Sequence, residues 1–229
     1  MYAIDSLKGS FERITGIARP SAREASALVK PRKAWASRFK DDGSIPNNPT
    51  LPFIRYRSAV DLSGAADPAA VFEVLFETNG WGGSWRNGIY KFVHYHPRTH
   101  EVVGIARGKA RVRFGGAKGK LIELKAGDIV ILPAGTGHQA IKASKDLLVV
   151  GAYPPLGKYQ EYKGSAEEHA KAVRMVSKVR LPARDPAYGK KGPLKHLWHR
   201  SSSARITRSE LKNSHRKKLK NKSTKKQNG

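Results

Sequence analysis

The stretch GIYKFVHYHPRTHEVVGIARG (Gly88–Gly108), with its counterpart GDIVILPAGTGH (Gly127–His138), decides how this chain folds. In the first segment Gly88 is followed after five residues by His94, Tyr95 and His96, after four more by Glu101, and after six more by Gly108. In the second, Gly127 is followed after five residues by Pro133, Ala134 and Gly135, and after two more by His138. Four of the eight histidines fall between Gly88 and His138, a clustering that chance rarely produces.

Around these clusters the pattern is one of short strands divided by turn residues. Ile89–His96 reads as a strand, as do Glu101–Arg107, Lys120–Leu124, Asp128–Leu132 and Asp146–Tyr153. Lys109, Arg111 and Arg113 alternate with Ala110, Val112 and Phe114, one wet face against one buried face. No helical pattern separates these strands, which excludes a parallel α/β sheet and predicts an all-β antiparallel sandwich or barrel.

The strands give the histidines a geometry. His94 and His96 are two apart on one expected strand, so both side chains leave the same face about 6 to 7 Å apart. The tight connection at Pro97 can bring the Glu101 carboxylate beside them, and His138, after the turn at Pro133, Gly135 and Gly137, can supply a fourth group. Three imidazoles and a carboxylate suit one divalent transition metal (Mn, Fe, Co, Ni or Zn) with positions left open for water or substrate. Such an ion acts as a Lewis acid or as an oxygen-binding redox centre. His100 can substitute as a ligand, but on a strand it points away from Glu101, and its expected role is a supporting hydrogen bond. Tyr90 shares the face of Phe92, His94 and His96 and either lines a cavity or joins the core. Arg86 either binds an anionic substrate or pairs with a structural carboxylate, the commoner outcome.

Outward from this centre, Asp67 is an N-cap with Pro68 at the first helical position, and Val71, Phe72, Leu75 and Phe76 form the apolar face of a short helix that Gly80 stops. Ser165 and Glu168 make a capping box for a helix to about Lys178. Ile54–Val60 alternates as a strand. Residues 41–53, DDGSIPNNPTLPF, hold three prolines and two adjacent asparagines and must be a loop or extended arm. Such an arm suits covering a partner's sheet edge in a homodimer. Leu7, Phe11 and Ile14 sit at helical spacing, but residues 1–37 read as a flexible extension. The domain spans 38–199, with Leu194–Trp198 packing back onto it, and 200–229 read as a disordered basic tail.

Composition narrows the classes. No apolar run approaches the roughly 20 residues of a membrane span. The absence of cysteine excludes disulfides, thiolate metal sites and a cysteine nucleophile, and a cytoplasmic setting is the default. The formal charge is +26, but residues 200–229 alone hold 11 basic and 1 acidic residue, which points to a solvated tail with at most non-specific nucleic-acid contact. Hydrolase GxSxG, P-loop and dinucleotide fingerprints are absent.

The two-part spacing resembles the paired motifs of the cupin superfamily, and HYHPRTHEV (His94–Val102) resembles the germin version of the first. A closer resemblance is to the YjlB-like single-domain bacterial cupins. It rests on GSIPNNPTLPFI (Gly43–Ile54), SWRNGIY (Ser84–Tyr90), ILPAGTGH (Ile131–His138), VVGAYP (Val149–Pro154) and DPAYGKKGPLKHLW (Asp185–Trp198), and covers about residues 38–199. The resemblance implies a jelly-roll β-barrel with one or two short covering helices, and His94, His96, Glu101 and His138 as metal ligands. One departure is Lys142, where cupins commonly place an asparagine. By analogy the expected activity is metal-dependent, oxidoreductase or dioxygenase-like chemistry on a small molecule, anionic if Arg86 binds it. The alternatives are a metal-dependent isomerase or lyase, or a non-catalytic sensor or storage protein. A general acid or base beyond the ligands would favour an enzyme, and the sequence singles none out.

Overall fold

The computed structural model describes residues 2–15 and 18–199. Nine strands form its centre: β1 (Trp35–Ser37), β2 (Phe53–Tyr56), β3 (Gly82–Asn87), β4 (Glu101–Arg107), β5 (Lys109–Phe114), β6 (Lys120–Lys125), β7 (Ile129–Leu132), β8 (His138–Ala143) and β9 (Leu148–Tyr153). Six make one sheet in the order β1-β2-β7-β4-β9-β3, and three make a second in the order β6-β5-β8. Every strand pairing is antiparallel.

Strand alternation sorts the core into two layers. On the large sheet Val103, Ile105, Val130, Leu132 and Val149 point inward, where they meet Val112, Phe114 and Leu124 of the small sheet. The intervening Val102, Ile129, Ile131, Val150 and Ala152 pack the other way, against Val71, Phe72, Leu75 and Phe76. Those four belong to helix α3 (Pro68–Thr78), which follows α1 (Tyr2–Thr15) and α2 (Ala22–Ala27) and precedes α4 (Ala166–Met175). β4 and β7 are apolar on both faces because both faces are covered. Gly104 gives Phe72 its place: a Cβ there would meet the phenyl ring at 2.5 to 2.8 Å. The edges of the two sheets are not hydrogen-bonded to each other among the described residues, so the architecture is two facing sheets and not the closed barrel expected.

The expected caps form. Asp67 accepts from the Ala69 and Ala70 amides with Pro68 in the first turn, and Gly80 ends α3 with φ +80°. Ser165 and Glu168 close a capping box on α4, which runs on as a 3-10 turn to Lys178. The strand expected over Ile54–Val60 is realised as Phe53–Tyr56. Residues 193–199 are helical, with Leu194 and Trp198 buried and the Trp198 indole donating to the Pro52 carbonyl at 2.9 Å.

Two more expectations are corrected, and the arm is placed. Residues 89–93 are not a strand; β3 lies earlier, and only His94 and Tyr95 make isolated bridges, to His138 and Tyr162. The stretch 1–37 is not a loose extension where it is described: it forms α1, α2 and β1, with Asp5 paired to Arg107, Lys8 to Asp67 and Arg19 to Glu73. The arm at 41–53 covers its own chain. The Asn47 amide donates to the carbonyls of Lys40 and Gly115 and its oxygen accepts from Gly137, while Asn48 donates to the Ala134 carbonyl. The tail at 200–229 lies outside the described residues.

Candidate metal centre

Glu101 opens β4 at one end of the large sheet and is the first inward-facing side chain of that strand, on the same face as Val103 and Ile105. His138 is the first residue of β8. The segment carrying His94 runs beside it: the His94 amide donates to the His138 carbonyl at 3.2 Å, and the His138 amide donates back to the His94 carbonyl at 3.0 Å. Next to this pair, the Gly135 amide donates to the His96 carbonyl at 2.8 Å. The two sequence clusters are therefore stitched together through the main chain.

Each imidazole of His94, His96 and His138 offers one nitrogen within 4.8 Å of the others. Glu101 Oε2 stands 3.7 Å from His96 Nε2 and 3.5 Å from His138 Nε2. All four residues are buried, none more than 5% exposed. Contacts on the far side of the rings orient them. His96 Nδ1 lies 2.9 Å from the Gln160 carbonyl and His138 Nδ1 3.3 Å from that of Thr136. Each contact places a proton on Nδ1 and leaves the Nε2 lone pair turned toward Glu101.

Burial sets the charge states. It pushes His94 down to about 4, helped by the nearby His96, and holds His138 well below the ordinary histidine value. Burial likewise raises Glu101 above the usual carboxylate range, opposed by His96 and by the nearby Tyr153 hydroxyl. Glu101 Oε2 and His94 Nδ1 are enclosed without a hydrogen-bond partner among the described residues. Neutral imidazoles around an unpartnered buried carboxylate oxygen are a donor set that a divalent cation fits.

His100 is fully buried and outside this group. Its Nδ1 accepts from the Ala134 amide at 2.9 Å and its ring packs 4.6 Å from Trp198, so it supports the turn leading to His138. Arg86 is held by Asp67 at 2.8 Å and by Glu73 at 2.9 and 3.0 Å, the structural pairing. Tyr90 is not core: it is 43% exposed, stacked on Phe92 at 4.7 Å and edge-on to His94 at 5.0 Å. Lys142 is exposed on β8 in register with Arg111.

A cavity of about 600 Å³ opens in front of the four candidate ligands. Its wall includes Trp85, Tyr153, Tyr159 and Glu161, which sequence reasoning did not single out. Tyr153 was readable: it continues the inward-facing series of Val149 and Gly151 and comes opposite Glu101, next to the Val102–Ala152 pair. The Trp85 indole donates to the Tyr153 hydroxyl at 2.9 Å and lies over Gly151, where a Cβ would collide with it. Tyr159 and Glu161 sit in an irregular segment with no periodic signal.

The cupin-domain family model matches residues 87–150. The uncharacterized protein YjlB of Bacillus subtilis (strain 168) is 40% identical over 160 residues, which cover 70% of this chain and 93% of YjlB. The chain is a cupin related to YjlB. Solved structures similar to this cupin include a conserved protein with a double-stranded β-helix domain from Klebsiella pneumoniae, at 17% identity and a TM-score of 0.30, covering 61% of this chain and 88% of that one. An oxalate decarboxylase variant from Bacillus subtilis matches at 16% identity and a TM-score of 0.28, over 68% of the cupin but only 37% of the decarboxylase chain. No helix among the described residues is long and apolar enough to cross a membrane.

Proposed function

We propose that this cupin holds one divalent transition metal through His94, His96, Glu101 and His138 and carries out oxidoreductase, dioxygenase-like chemistry on a small molecule in the adjoining cavity. The observation that carries this reading is the convergence of the His94, His96 and His138 imidazoles, with His96 and His138 within 3.7 Å of a buried Glu101 oxygen that has no hydrogen-bond partner among the described residues. When bound, such an ion supplies Lewis acidity and, for Fe or Mn, a redox centre open to oxygen.

The chain's own residues supply the rest. The Gln160 and Thr136 carbonyls fix two imidazole tautomers, and Tyr153, itself held by Trp85, stands beside the Glu101 carboxylate. Tyr90, Tyr153 and Tyr159 form an aromatic wall that displaces water from around the substrate. Glu161 lines the same cavity, and its Oε2 lies 3.3 Å from the Tyr159 hydroxyl. It is a carboxylate beyond the four ligands that can take a proton from a bound substrate, the feature that favours an enzyme over a sensor or storage cupin.

Metal analysis of the purified protein beside His96→Ala and His138→Ala tests the centre. The expected outcome is stoichiometric metal in the parent and its loss in both variants; equal metal in all three would sink the assignment. Oxygen consumption by Fe(II)- or Mn(II)-loaded protein then separates turnover from binding alone.

A further inference from the structure

The chain carries 44 Lys and Arg against 18 Asp and Glu, yet among the described residues no lysine lines the metal-centre cavity. Arg86, the one arginine in that wall, is 5% exposed and has its guanidinium engaged by Asp67 and Glu73. The lining carboxylates are Glu101, at the ligand cluster, and Glu161. Around Glu161 the wall is aromatic. The Tyr159 ring lies 5.0 Å from His96 and 5.5 Å from Tyr153, and Tyr90 lies 5.0 Å from His94.

Ring faces and a carboxylate attract a cation. The rim already shows this chemistry: Lys163 Nζ sits 4.7 Å from the centroid of Phe92, which stacks on Tyr90. A site for a free carboxylate substrate in so basic a chain would have had many lysines to draw on. The cavity has the opposite character.

We propose that the outer cavity, bounded by Tyr90, Tyr159 and Glu161, is a subsite for a cationic nitrogen group, so that the molecule presented to the metal centre is an amine or quaternary ammonium compound. The ammonium group sits against Glu161 and the tyrosine faces, and the remainder of the molecule points inward toward His94, His96 and His138. This assigns a ligand class within the function proposed above, using the same cavity, but the subsite itself needs no metal.

Isothermal titration of the full chain, in EDTA and again after loading with Zn(II), tests it with three probes. These are choline, its uncharged isostere 3,3-dimethylbutan-1-ol, and propionate. Choline is expected to bind in both states, the isostere about tenfold more weakly or less, and propionate only to the zinc-loaded form, where the ion can receive it. Glu161→Gln and Tyr159→Ala are each expected to weaken choline about tenfold. No saturable binding of choline, equal affinity for choline and its isostere, or an undiminished affinity in Glu161→Gln overturns the subsite. Choline binding in EDTA supports it even if the metal analysis fails, so the two readings stand or fall separately.

Discussion

At the scale of single residues, the centre is built from groups that are neutral because they are buried. An exposed histidine titrates near 6.5, whereas burial takes His94 down to about 4 and His100 to about 3. In the metal-free protein the unfolded chain therefore takes up protons as the pH falls through about 6.5, while the folded chain does not until about 4 and below. The stability owed to these neutral rings is fully present above pH 6.5 and is lost progressively on acidification. Thermal melts in EDTA are expected to show Tm falling by several degrees between pH 7 and pH 4.5, and a flat profile would contradict the burial argument. The meeting of His94, His96 and His138 was legible in the two-part spacing, although His94 and His96 are presented by a segment that forms only isolated bridges and not the strand expected. Tyr159 and Glu161 were not, because an irregular segment carries no period from which a facing direction can be read. Arg86 was legible only as a choice, since its partners Asp67 and Glu73 lie 19 and 13 residues away on a different element.

At the scale of elements, β4 and β5 are found with the bounds read from sequence, because β5 has one wet face and β4 is an unbroken apolar run between two turns. The segment from Ile89 alternates just as well, yet forms no strand. It lies along the outer edge of β8 instead, joined by the Ala140 amide to the Tyr90 carbonyl and by the reciprocal pair between His94 and His138, too few bonds for a continuous ladder. β3 itself, GGSWRN, has two glycines and an asparagine and little strand propensity, so its pairing with β9 is imposed by the fold. The contact of α3 with the sheet makes a test of the layer order. Gly104→Ala drives a Cβ into the Phe72 ring, and the expected cost is about 1–3 kcal/mol by urea denaturation. A neutral result would mean that α3 can slide on the sheet.

At the scale of the molecule, α1 shows how far packing can depart from amphipathic expectation. Its spacing of Leu7, Phe11 and Ile14 is helical as read, but these side chains are exposed, while Asp5 and Lys8 reach the domain through ion pairs. Charged partners on the sheet and on α3, not an apolar groove, receive this helix. The core and the centre are otherwise continuous, so metal occupancy and global stability are linked. Saturation at about 100 times the dissociation constant is expected to add about 2.7 kcal/mol, read as a higher Tm that EDTA reverses. An unchanged Tm on metal addition would separate the centre from the fold. The reciprocal amide bonds between His94 and His138 give that linkage a further meaning. The separation of these two donors is set by the main chain, not by what the side chains hold. In the proposed centre such a pair would act as a socket: exchanging one imidazole for a carboxylate would retune which ion is preferred while the place for it stays put.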